Sequence, residues 1–296
     1  MKKLLSLLLT GALAAGVLTG CGGGTTGTAE TPDSGASSPA AETPAGSTGT
    51  PAGETVTLRI GGTPAPHVEI LEQVVPILAE QGITLEITTM NDYNTPNDAV
   101  EDGSLDANYF QHITYMNEYN ESHGTHLVSV GEIHYEPFGL YAGKTASIDA
   151  LQEGAQIAVP NDATNEARAL LLLEQEGLIT LAENAGITAT VLDIVDNPLN
   201  LEIVELEAAQ LPVRLPDVDM AVINGNYAID AGLSVADALA IEDADGEAAA
   251  AYVNVVAVKQ GNENNEAILA LVEALKSDEI SSWMEETYQG AVVPMF

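Results

Sequence analysis

The sequence predicts an α/β protein built as two lobes, and three observations lead there. Short apolar strand patterns alternate with helical ones from Thr55 onward. The alternation restarts at Gln156, giving two successive units of similar size. Residues 22–54, by contrast, hold no Val, Ile, Leu or aromatic side chain and cannot enter a core. With 46% hydrophobic residues in 296, the rest of the chain can build a sizeable core.

The elements follow in order. Residues 57–61 (TLRIG) read as a strand, and 68–80 (VEILEQVVPILAE) carry helical spacing at Ile70, Val74, Ile77 and Leu78. Pro76 predicts a kink or a late start in that helix, and Gly82 closes it. Strands are expected at 85–89, 106–109 and 127–130, with helices at 97–102 and 113–121. In the second unit, QIAVP (156–160) is a strand and NEARALLLLEQE (165–176) a strong helix ended by Gly177. Residues 190–194, 203–206, 219–223 and 252–258 read as strands, and 265–276 and 279–288 as helices. The expected division is 55–137 plus 252–296 for one lobe and 138–251 for the other. A cleft between such lobes is a favoured ligand site, in sheets that are mixed but mainly parallel.

The first 54 residues read as an address and a tether. Lys2 and Lys3 precede an apolar run from Leu4 to Val17, too short to span a bilayer, so 1–20 is expected to be a signal peptide. Leu18-Thr19-Gly20-Cys21 resembles the lipobox of bacterial lipoproteins, in which the cysteine is acylated. Cys21 is the only cysteine, so no disulfide forms within one molecule. Residues 21–54 then form a lipidated start and a flexible tether with an r.m.s. reach of about 30 Å. The expected location is the extracytoplasmic face of the cell membrane.

Charge excludes partners. There are 44 Asp and Glu against eight Lys and Arg, a net charge of −36. Nucleic-acid binding needs clustered cations that this chain lacks. A basic patch for anionic lipid is missing too.

Linked motifs then carry a family resemblance. Asn91-Asp92-Tyr93, Leu105 through His112, Val159-Pro160-Asn161-Asp162-Ala163-Thr164-Asn165 with Arg168, and Ala221-Val222-Ile223-Asn224 with Tyr227 occur in order. Asn197-Pro198 and Glu205 through Pro212 add to them. Together, over essentially all of 55–296, they resemble the NlpA family of lipoproteins, methionine-binding receptors of bacterial ABC importers. The resemblance implies a type II periplasmic-binding-protein fold that closes on its ligand. It also implies delivery of methionine to a permease with its ATPase subunit. Two departures stand out: the chain is poor in lysine, and Asn224-Gly225-Asn226 replaces a more usual Asn-Thr-Thr run. Gly225 is expected to loosen one wall.

A free amino acid presents a carboxylate, an ammonium and a side chain. Arg168 suits the carboxylate, because a guanidinium fork fixes direction as well as charge. Asn161, Thr164 and Asn165 sit at the start of its helix, where free N–H groups favour anions. Asn224 ends a strand, and Asn254 interrupts the apolar YVNVVAV; both are acceptors for an ammonium and resemble ligand-contacting positions of the family. A thioether favours an aromatic-lined pocket. Eight of 13 aromatics and four of five histidines fall within 93–141. Tyr93, Phe110, His112 and Tyr115 are the expected ligand-facing members. Tyr109 and Phe110 point to opposite faces of a strand, so only one reaches the cleft.

Rival readings have less support. His123 and His126 are the nearest to a metal pair, but no HExxH and no second cysteine accompanies them, so no metal or cofactor is expected. No nucleophile elbow or phosphate loop points to an enzyme. The alternatives are a receptor for another small amino acid or peptide, or a surface adhesin with an empty cleft.

Overall fold

In the computed structural model the chain is described over residues 55–243 and 250–296. The expected signal peptide, the lipobox with Cys21 and the tether lie outside the described residues. Among the described residues, no helix is long and apolar enough to cross a membrane.

The first part of the fold runs β1 (Val56–Gly62), α1 (Glu69–Glu80), β2 (Ile83–Thr89), α2 (Thr95–Asp102), β3 (Ala107–His112), α3 (Ile113–His123) and β4 (Leu127–Tyr135). Helix α1 begins well before Pro76 and runs through it, so the late start expected there does not occur. A proline in a helix interior costs about 3 kcal/mol. Burial of Ile70, Leu71, Val74 and Leu78 outweighs that, at roughly 1.5–3 kcal/mol each.

The second part runs β5 (Gly139–Ala142), β6 (Gln156–Pro160), α4 (Ala163–Gln175), β7 (Thr180–Leu181), β8 (Ile194–Asp196), β9 (Glu202–Leu206), α5 (Leu211–Arg214), β10 (Met220–Ile223), α6 (Gly225–Asp230) and β11 (Ala240–Ile241). The chain then returns through β12 (Val253–Lys259), α7 (Glu266–Leu275), α8 (Asp278–Tyr288) and β13 (Val293–Pro294). The strand expected at 190–194 is instead a tight turn. The Asp193 carboxylate accepts from the Thr190 backbone N–H (2.8 Å) and hydroxyl (2.9 Å), and β8 starts only at Ile194. Such local bonds give the backbone an alternative to a ladder.

Two sheets result. The first has the order β13-β4-β12-β3-β1-β2 and the second β11-β5-β10-β6-β9. Helical crossovers make β2, β1 and β3 parallel, and likewise β10, β6 and β9. Antiparallel pairing enters with β5 and β11 in the second sheet and with β12, β4 and β13 in the first. Of these, β4 with β5 and β11 with β12 flank the two places where the chain passes between sheets, after Tyr135 and after Ile241. Both sheets are therefore mixed.

Each sheet carries its own core. Leu58, Ile60, Ile133 and Val256 pack on α1, α7 and α8 through Leu71, Leu271 and Met284. Ile157, Val159 and Val222 pack on α4 through Leu170 and Leu173. The opposite faces hold smaller clusters, Phe110, Tyr115, Tyr119 and Val255 on one sheet and Tyr141, Ile223 and Tyr227 on the other. Tyr93 packs against both of these smaller clusters, so the sheets meet at its ring.

Candidate functional site

Where the sheets meet lies a narrow cavity that opens to solvent. Its walls are Tyr93, Phe110, Gln111, His112, Tyr115, Glu136, Asn165, Arg168, Asn224, Gly225, Asn226 and Asn254. The structure thus brings together eight of the nine residues expected at a ligand site. Asn161 is exposed and lines a neighbouring recess with Asp92, Asp162 and Glu207.

The aromatic wall follows from strand alternation. Along β3, Tyr109 turns into the first sheet's core, where its hydroxyl meets His134 Nδ1 at 2.5 Å. Phe110 faces the cavity, with ring centroids 5.8 Å from Tyr93 and 6.2 Å from Tyr115. His112 ends the strand and caps α3: its Nδ1 accepts from Tyr115 N at 3.0 Å. Nε2 therefore carries the proton and donates to Asn165 Oδ1 at 3.2 Å. Burial, reinforced by the Arg168 charge, lowers the His112 pKa to about 3, the Asn165 bond opposing, so the ring is neutral at ordinary pH.

The start of α4 differs from expectation. Asp162 caps the helix, its carboxylate accepting from Asn165 N (3.0 Å) and Asn165 Nδ2 (2.9 Å). The anion at this helix start is the protein's own. The cap also fixes the neighbouring amides. Because Asn165 Nδ2 is committed to Asp162, its Oδ1 faces Asn224 and accepts from Asn224 Nδ2 at 2.8 Å. Asn224 Oδ1 is then left buried with no partner among the described residues, on a side chain of the cavity wall. A buried carbonyl without a donor costs roughly 1–3 kcal/mol, which a ligand N–H would relieve.

Arg168 is buried and already paired. Nε donates to Glu242 Oε2 at 2.8 Å, and Nη2 donates to Glu242 Oε1 and to the Glu136 carbonyl (2.8 Å). Burial alone would lower its pKa, but the Glu242 charge and hydrogen bonds raise it, so the cation persists. Among the described residues three of its five N–H donors are used, leaving the two on Nη1. The fork expected to grip a ligand carboxylate is occupied by Glu242, and only Nη1 remains for a ligand.

Sequence reasoning missed Glu136, Glu242 and Gln111. Glu136 is buried beside the cavity, and its Oε1 accepts from His134 Nε2 at 2.8 Å. Burial raises its pKa, against the opposing pull of His67 and Arg168. Gly225 does not loosen this wall. A Cβ there would stand 2.7 Å from Glu136 Cβ and 2.8 Å from Oε2, so glycine admits the glutamate side chain. Another wall amide, Asn254, accepts from His67 Nε2 at 3.1 Å, leaving its Nδ2 as a free donor among the described residues.

Among the described residues, one group could hold a cation: His67, His134 and Glu136, whose ligand atoms lie within 4.8 Å of one another. It is not the pair suggested by the sequence. His123 bonds Ser122, and His126 bonds Glu101 at the surface. All four ring nitrogens of His67 and His134 have hydrogen-bond partners, and burial keeps both rings neutral, with pKa values lowered to about 4 and about 3. Of the three, only Glu136 lines the cavity; the two histidines are buried behind it in a hydrogen-bonded polar group.

A family profile described as NlpA lipoprotein matches residues 58–296. Among curated proteins, the membrane lipoprotein TpN32 of Treponema pallidum is 41% identical, over 80% of this chain and 87% of that protein. The D-methionine-binding lipoprotein MetQ of Escherichia coli K12 is 43% identical, over 72% and 78%. Among solved structures, a lipoprotein from Ruminococcus gnavus is 57% identical with a TM-score of 0.79, over 81% of this chain and 99% of that one. A nutrient-binding protein from Burkholderia cenocepacia bound to methionine is 40% identical with a TM-score of 0.76, over 81% and 100%.

Proposed function

The chain belongs to the NlpA lipoprotein family, and from that premise we propose that it is a methionine receptor serving an ABC importer. It performs no chemistry of its own. Acylated at Cys21 and held at the extracytoplasmic membrane face, it captures the amino acid and presents it to the permease and its ATPase subunit. Two lobes, 55–137 with 252–296 and 138–251, would close around the ligand by bending where the chain crosses between the sheets.

One observation supports this reading above others: Asn224, whose Oδ1 has no partner among the described residues, and Arg168, whose Nη1 has none either, line the same aromatic-walled cavity. An α-amino acid carries both complements on one carbon. Its ammonium would donate to Asn224 Oδ1, and its carboxylate would accept from Arg168 Nη1 and the Asn254 amide. A thioether suits the wall of Tyr93, Phe110 and Tyr115, since sulfur packs well at ring edges. Asn161 stands outside this arrangement and is not assigned a contact.

The reading is tested by titrating the purified lipoprotein, stripped of co-purified ligand and held in detergent, with L-methionine, D-methionine and methionine dipeptides. Saturable heat with at least one is expected. Heat only with an unrelated amino acid would remove methionine and keep the receptor; no heat with any amino acid or peptide would favour an adhesin.

A further inference from the structure

Arg168 is held from behind more firmly than a ligand contact alone requires. The Glu242 carboxylate takes both Nε and Nη2, forming a two-bond fork. Glu242 is itself anchored from two further sides. Oε1 accepts from the Phe138 backbone N–H at 2.9 Å and from the Tyr135 hydroxyl at 2.5 Å. Its side chain is only 9% exposed, yet it does not line the cavity. Around the guanidinium carbon stand three rings, Tyr252 at 4.3 Å, Phe138 at 4.8 Å and Tyr135 at 5.7 Å. Tyr135 ends β4 and Phe138 precedes β5, so both belong to the first passage between the sheets, while Glu242 follows β11 at the second.

We infer that Glu242 is a positioning residue: it consumes the Nε–Nη2 edge of Arg168 and ties it to both inter-sheet passages, so that Nη1 alone is presented to a ligand carboxylate. The physical case has two parts. A buried guanidinium needs a counter-ion, and a carboxylate outside the cavity supplies one without filling the site. A planar fork also fixes the direction of the remaining N–H groups, which a point charge would not. Glu242→Gln keeps the shape but puts an amide NH2 where a donor must be accepted, either against Arg168 or against Phe138 N.

This inference rests on the methionine reading above, and the experiment separates the two. Calorimetry is run on the full lipoprotein with methionine and with methioninamide, which keeps the ammonium and thioether but lacks the carboxylate. Wild-type binding of neither compound would reject the methionine reading itself. Given wild-type methionine binding, Glu242→Gln is expected to weaken methionine by about tenfold or more while changing methioninamide less than about twofold. In an Arg168→Ala background the same substitution should cost methionine nothing further. Tyr135→Phe, which removes one anchor and keeps the ring, should reproduce a smaller, carboxylate-selective loss, and serves if Glu242→Gln does not fold. Equal losses for both compounds, no loss, or tighter methionine binding would overturn the positioning role; the last would make Glu242 a competitor for Arg168.

Discussion

The Tyr93 hydroxyl donates to Asn226 Oδ1 at 2.6 Å, linking the loop after β2 to helix α6 behind β10. The bond joins the two sheets at the rim of the cavity, and the Tyr93 ring lies 5.0 Å from that of Tyr227 on the far side. Tyr93→Phe keeps the ring contact and removes the bond. Methionine binding is expected to weaken by roughly fivefold, corresponding to about 1 kcal/mol, as measured by calorimetry. An unchanged affinity would mean that the bond does not contribute to the bound state.

Asn224→Ala separates binding from stability. It deletes an unpartnered buried carbonyl, so thermal stability should fall by no more than about 1 kcal/mol. Methionine affinity should drop by about tenfold or more, because the ammonium acceptor is gone. A large fall in melting temperature with intact affinity would reverse the assignment.

Gly225→Ala places a methyl group against Glu136 and should destabilise the fold by about 1–3 kcal/mol in thermal unfolding. Removing the obstacle, Cβ included, in Glu136→Gly should make Gly225→Ala markedly less costly. Equal costs in both backgrounds would show that the clash is relieved elsewhere.

Acid should weaken the protein through His112. In the unfolded chain an imidazole protonates near 6.5, whereas buried His112 protonates only near about 3. Between those values the unfolded state binds the extra proton. This contribution is therefore complete above pH 6.5 and is lost as pH falls toward 3, by up to about 1.4 kcal/mol per pH unit. Buried Glu136 and Asp162, with raised pKa values, act with the opposite sign. The comparison with His112→Asn isolates the histidine: denaturant titrations across pH 6.5 to 4 should show a shallower slope in the variant. Parallel slopes would indicate that His112 is charged in the fold.

Much of the site was legible because its members are conspicuous against their surroundings. Arg168 is a rare cation, Asn254 a polar break in an apolar strand, and the aromatics of 93–141 a concentration in a chain with few rings. Glu136, Asp162 and Glu242 were not legible for the opposite reason. They are three of 44 acids, and nothing in the sequence separates a buried carboxylate from a solvated one. A signal for Glu136 lay in its place, between the apolar end of β4 and Phe138, where a solvated charge is unexpected. The turn at Thr190–Asp193 was misread because periodicity weighs apolar spacing and ignores a threonine three residues before an aspartate. Pairing direction was legible only where a helix joins neighbouring strands.

Asn165 and Arg168 lie three residues apart on α4, one beneath the orphan acceptor and the other carrying the free guanidinium edge. The acceptor itself belongs to Asn224, so the spacing between the two poles is set by how the end of β10 is hydrogen-bonded against α4. That amide contact between a strand end and a helix works here as a gauge of molecular length. It would pass compounds whose amine and acid share a carbon and turn away β-amino acids, in which one more methylene pushes the charges out of step.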